Sequence, residues 1–156
     1  MSGALRCRGW ATGVAFLAAC AVARIALGAG VISVNLPWAR PAALHATTEV
    51  YMEISSSESA AITAARSPDA ERVSIRTSSR GGPSGQIALP AKTTVLLEPR
   101  KERLVLSGLK RALRVGDHVS VTITLKHPTG ATQDIDIQAE VRTGSARDQE
   151  GREHSH

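Results

Sequence analysis

Five histidines, two cysteines and two methionines are the whole stock of soft and borderline metal ligands in this 156-residue chain. Cys7 and Cys20 both lie in the first 29 residues. Beyond Met1 there is only Met52, which falls on the apolar phase of Val50-Tyr51-Met52-Glu53-Ile54 and reads as a core side chain. His154 and His156 close the chain near Glu150 and Glu153 and are weak candidates for Cu(II) or Zn(II). A short flexible pair must be ordered before it can hold a metal, and that costs entropy. His45, His118 and His127 stand singly and read as surface or turn residues. No serine has a His–Asp set in motif spacing, and no glycine-rich loop opens a helix. Asp134 and Asp136 share one strand face and read as solvent-facing rather than as an acid/base pair. No enzyme is expected.

A second group could do binding chemistry. Arg72, Arg76, Arg80, Arg100, Lys101 and Arg103 would form one basic end if the strands between them pair. Guanidinium geometry suits bidentate contacts to a carboxylate or phosphate, so an acidic protein or an anion is the partner class. The plainer alternative is a solvated face with Glu71, Glu98 and Glu102 as counter-charges. Nucleic acid is not expected. The chain has only four aromatic residues, Trp10, Phe16, Trp38 and Tyr51, too few for a base-stacking surface.

The elements that must position these groups begin after a leader. Arg6 and Arg8 precede an apolar run from Trp10 to Ala23, with no Asp or Glu before Asn35, which is the pattern of a secretory signal. Three outcomes fit residues 1–29. Cleavage after Ala26-Leu27-Gly28 frees the chain near Ala29. Leu17-Ala18-Ala19-Cys20 resembles a bacterial lipobox and would leave a lipid on Cys20. An uncleaved anchor is the third. Loss of the three leader arginines lowers the net charge from +5 to +2, so much of the basic balance is an export feature. It also removes both cysteines, and with them thioredoxin-type redox chemistry and a blue-copper thiolate.

From Val31 on, short runs alternate apolar and polar residues, the mark of half-buried strands. The clearest are Val50–Ile54, Val73–Ile75, Val119–Leu125 and Ile135–Val141, with others at Val31–Leu36, Ala61–Ala65, Thr93–Leu97 and Arg103–Leu106. Turn residues fall between them, among them Ser67-Pro68-Asp69, Gly108, Gly116-Asp117 and His127-Pro128-Thr129-Gly130. Seven or eight strands at this spacing predict an all-β, immunoglobulin-like two-sheet sandwich over residues 30–143, followed by a polar tail at 144–156.

Several segments in order resemble one family. They are Pro37-Trp38-Ala39-Arg40-Pro41, Glu49–Ile54, Ala64–Pro68 with Ala70–Val73, Ile87–Ala91 leading to Thr94–Pro99, and Leu106-Ser107-Gly108-Leu109-Lys110 continuing to Val121–Leu125. Together they resemble the PCu(A)C periplasmic copper chaperones from about Val34 to Val141. The resemblance implies a cupredoxin-like β-sandwich in the periplasm and copper as cofactor. It also implies His and Met ligands for Cu(I), and delivery to cytochrome oxidase beside other assembly proteins. Soft neutral thioethers with imidazole favour Cu(I). The chain departs at the ligands. Arg76 stands where the family has its first His. The Met-rich loop is replaced by the shorter Thr77–Gln86, which lacks Met and His. Arg103 and Val105 replace the closing His and Met. Arginine keeps its charge and offers no lone pair, so no core metal site is expected.

Overall fold

A computed structural model describes residues 30–78 and 85–144. The leader, Arg80 and the tail histidines lie outside the described residues. The described chain forms nine strands and no helix: β1 (Ile32–Ala39), β2 (Thr48–Ser56), β3 (Ala60–Arg66), β4 (Ala70–Arg76), β5 (Ile87–Leu89), β6 (Thr94–Leu97), β7 (Arg103–Leu109), β8 (His118–Lys126) and β9 (Thr132–Val141). All eight sequence-predicted runs are strands. The ninth, β5, has only three residues, too few to display a period, and pairs with β3.

Hydrogen bonding runs β4-β7-β2-β1-β9-β8-β3-β5, with β6 also on β2. β1 is the seam of the sandwich. It pairs antiparallel with β2 on one side and parallel with β9 on the other, Trp38 facing Glu140 and Ala39 facing Val141. Its register slips between Asn35 and Trp38. Leu36 there has φ 49°, and Pro37 has no N–H to give a ladder. This bulge lets one strand serve both halves. It also carries β1 three residues past the sequence-predicted end at Leu36.

The core lies between the halves. Val50, Met52 and Ile54 of β2 and Leu104 and Leu106 of β7 face Val119, Val121, Ile123 and Leu125 of β8 and Ile137, Ala139 and Val141 of β9. Met52 is 2% exposed, which places it in the core as its strand phase requires. Asp134 and Asp136 are exposed and accept hydrogen bonds from Thr124 and Thr122.

Candidate functional site

Of the sequence-predicted basic residues, the pairing of β4 with β7 brings Arg76 and Arg103 together. Their antiparallel register sets Arg76 directly opposite Arg103, and Ser74 opposite Val105. Two segments distant in sequence therefore put Arg76, Arg103 and Val105 on one patch of sheet. Arg100 and Lys101 occupy the β6–β7 turn just before Arg103, closed by a backbone bond from Lys101 N–H to the Glu98 carbonyl. Arg100 there has φ 69°. Lys101 pairs with Glu98 at 2.9 Å, and Glu102 accepts a bond from Ser78.

The two facing arginines behave differently. Arg103 is turned aside: its Nε donates to Glu49 Oε1 at 2.8 Å and a terminal nitrogen donates to the Lys101 carbonyl at 3.0 Å. Glu49 is also the acceptor for the Tyr51 hydroxyl. Tyr51 is buried, packs on Trp38 at 4.6 Å between ring centroids, and has the Arg40 guanidinium 5.8 Å from its ring. Partial burial pushes the Glu49 carboxyl up. Hydrogen bonds from Tyr51 and Arg103, with the charges of Arg103 and Arg40, outweigh that and hold it below the usual carboxylate range. Burial, the bond to Glu49 and its charge push the Tyr51 phenol up to about 12. Arg76, by contrast, is exposed and has no ion pair among the described residues.

The family model described as "Putative lipoprotein LpqE-like" matches residues 32–141. The chain belongs to the LpqE-like family. No curated protein matches it. Among solved structures, this LpqE-like chain is similar to the apo PCuAC domain from PmoF1, at 19% identity and TM-score 0.63 over 75% of this chain and 98% of that one. It is also similar to the copper-bound PCuAC domain from PmoF2, at 21% identity and TM-score 0.57 over 74% and 97%. The Cu(I) form of DR1885 from Deinococcus radiodurans is similar at 27% identity and TM-score 0.50 over 71% and 79%. The cupredoxin-like fold implied by the sequence resemblance is thus the PCuAC fold.

The LpqE-like residues do not fit copper where the resemblance places it. Arg76 and Arg103 bring two permanent charges and no lone pair, and Val105 is aliphatic. No group of three or more metal-type side chains occurs among the described residues. His45 is exposed in a loop with φ 62°, and His118 is exposed at the start of β8. His127 is in the hairpin turn as its sequence suggests, yet it is 7% exposed, with Nε2 lacking a partner among the described residues. It continues the inward phase of Val121, Ile123 and Leu125, a signal the sequence did carry. Sequence reasoning also missed Glu49, whose role depends on the β2–β7 pairing that sets it opposite Val105.

Proposed function

We propose that the protein is an exported, divergent PCuAC-type protein that serves copper delivery or assembly of the cytochrome oxidase copper centre without a His/Met copper site in its core. It works in the periplasm or an equivalent extracytoplasmic space. The lipoprotein description of its family supports a lipid anchor on Cys20. The observation that carries the reading is the cross-strand pair Arg76–Arg103 at the positions where the resemblance puts copper ligands. Cu(I) titration against a competing chelator tests it, using the chain without residues 1–29 and a companion also lacking residues 144–156. No tight binding by the companion is expected. Stoichiometric binding that survives truncation would overturn the reading, and binding lost on truncation would make His154 and His156 the carriers.

Arg76, exposed and without an ion pair among the described residues, favours a second reading, a metal-free interaction module whose basic edge docks a protein or anionic partner. That reading expects salt-sensitive partner binding that weakens on Arg76→Ala.

A further inference from the structure

Arg72, Ser74 and Arg76 alternate along β4, so they share one face of the strand. The β7 register adds Ser107 opposite Arg72 and Val105 opposite Ser74. A groove of about 390 Å³ lies along this face, lined by Glu71, Arg72, Ser74, Arg76, Ser107 and Gly108. Its polar groups are unspent. Arg72 and Arg76 are both exposed and have no ion pair among the described residues. Ser74 and Ser107 are half-buried, and their hydroxyls have no hydrogen-bond partner among the described residues. Arg103, which would crowd Arg76, is drawn away by Glu49.

We propose that this groove binds inorganic phosphate, with Arg72 and Arg76 as a two-sided guanidinium clamp and the Ser74 and Ser107 hydroxyls as donors beneath. The two arginines are four strand residues apart, roughly 13 Å between Cα atoms, a span two long side chains close by leaning toward Ser74. Fork-shaped guanidinium donors match the oxygens of a tetrahedral anion. Glu71 refines the choice of anion. Its carboxylate lies at the end of the groove, with Oε2 2.7 Å from where a Cβ on Gly108 would stand. A carboxylate repels an anion with no proton to offer, but accepts a hydrogen bond from one that has a proton. Inorganic phosphate keeps at least one proton at neutral pH, while sulfate and phosphodiesters have none and phosphomonoesters lose theirs above about pH 6. This proposal rests on the second reading above, in which the β4–β7 edge is the working face, and gives that face a ligand.

The test is an NMR titration of the purified chain at constant ionic strength with inorganic phosphate, sulfate and phosphatidylglycerol vesicles in parallel. Phosphate should give saturable shifts at the Ser74 and Ser107 amides and the Arg72 and Arg76 Nε–H groups. Arg72→Gln and Arg76→Gln should each weaken binding about tenfold, the loss expected for a charge-assisted bond. Arg66→Gln, on β3 and paired with Asp134, should leave it unchanged. Sulfate should bind at least about tenfold more weakly than phosphate, and Glu71→Gln should narrow that gap by removing the repelling charge. The four substituted residues, Arg66, Glu71, Arg72 and Arg76, are all exposed, so the variants should keep the parent melting temperature. Absence of saturable phosphate shifts, phosphate affinity indifferent to Arg72→Gln and Arg76→Gln, or shifts with vesicles alone would each overturn the proposal. Salt-sensitive partner binding that weakens on Arg76→Ala, in a protein that ignores phosphate, would sink the groove and leave the docking reading standing.

Discussion

Glu49 decides what the two facing arginines can do. It draws Arg103 aside and leaves Arg76 without an ion pair among the described residues. Its carboxyl is held below the usual range in the folded protein, so its contribution to stability is fully present above its unfolded value and is lost as pH falls through the folded value. Glu49→Gln should destabilise the protein by about 1–2 kcal/mol at neutral pH, given two hydrogen bonds to a partly exposed charge. The difference from the parent should shrink on acidification below about pH 4. Denaturant melts of both proteins across pH 3–7 measure this, and parallel curves would refute it. Tyr51 has the opposite sign: its phenol is raised to about 12, so its contribution is present below its unfolded value near 10 and is lost as pH rises through the folded one.

The same residues permit a gain-of-function test. Arg76 and Arg103 face each other, and Val105 lies opposite Ser74. The triple change Arg76→His, Arg103→His and Val105→Met therefore puts two imidazoles and a thioether on one patch of sheet, a ligand set that suits Cu(I). It should confer stoichiometric Cu(I) binding that the parent core lacks, read by competition with a chelator. A folded triple variant that still bound no copper would show that more than side-chain identity has changed at this position.

Among the elements, β7 carries the sharpest local constraint. Gly108 sits at φ +67°, and a Cβ there would meet the Glu71 carboxylate at 2.7 Å. Gly108→Ala should cost about 1–2 kcal/mol, measured as a lowered denaturation midpoint, because alanine is strained in left-handed backbone, while the exposed Glu71 side chain can swing clear of the new methyl group. Gly108 appeared in the sequence as turn punctuation, yet β7 runs through it to Leu109. Single-residue punctuation shows that the backbone turns unusually, but not whether a strand resumes beyond it.

Legibility followed the same rule elsewhere. The long alternating strands β8 and β9 were readable because their periods are local. The short β5 and the bulged continuation of β1 were not, since pairing defines them. Asp69 is a case of the same kind. It appeared as a turn residue, but it joins Arg111 at 2.8 Å and the Ser120 N–H at 3.0 Å, fastening the β3–β4 turn to the chain before and into β8. Partial burial pushes its carboxyl up, but the Arg111 and Ser120 bonds and the nearby charges hold it below its usual value. Arg76 and Arg103 could be read as members of one basic end, but not as directly facing residues, because residues on different strands have no periodic relation.

Across the whole molecule, one strand ties the two halves together. Ala39 is fully buried at the seam, opposite Val50 of β2 and Val141 of β9. Its backbone carbonyl accepts the Arg142 N–H at 2.9 Å. Neither half can separate without breaking this line, and the core cluster draws on both. The protein should therefore unfold as one cooperative unit. Trp38 lies at the seam, is buried and is the only tryptophan among the described residues, so its fluorescence reports the junction while far-ultraviolet dichroism reports all the strands. In urea the two signals should share one midpoint. Ala39→Leu should overpack the seam, costing about 1–3 kcal/mol, and should move both midpoints together. A fluorescence midpoint that shifted well below the dichroism midpoint would mean that the halves hold independently and that β1 is only a strap between them.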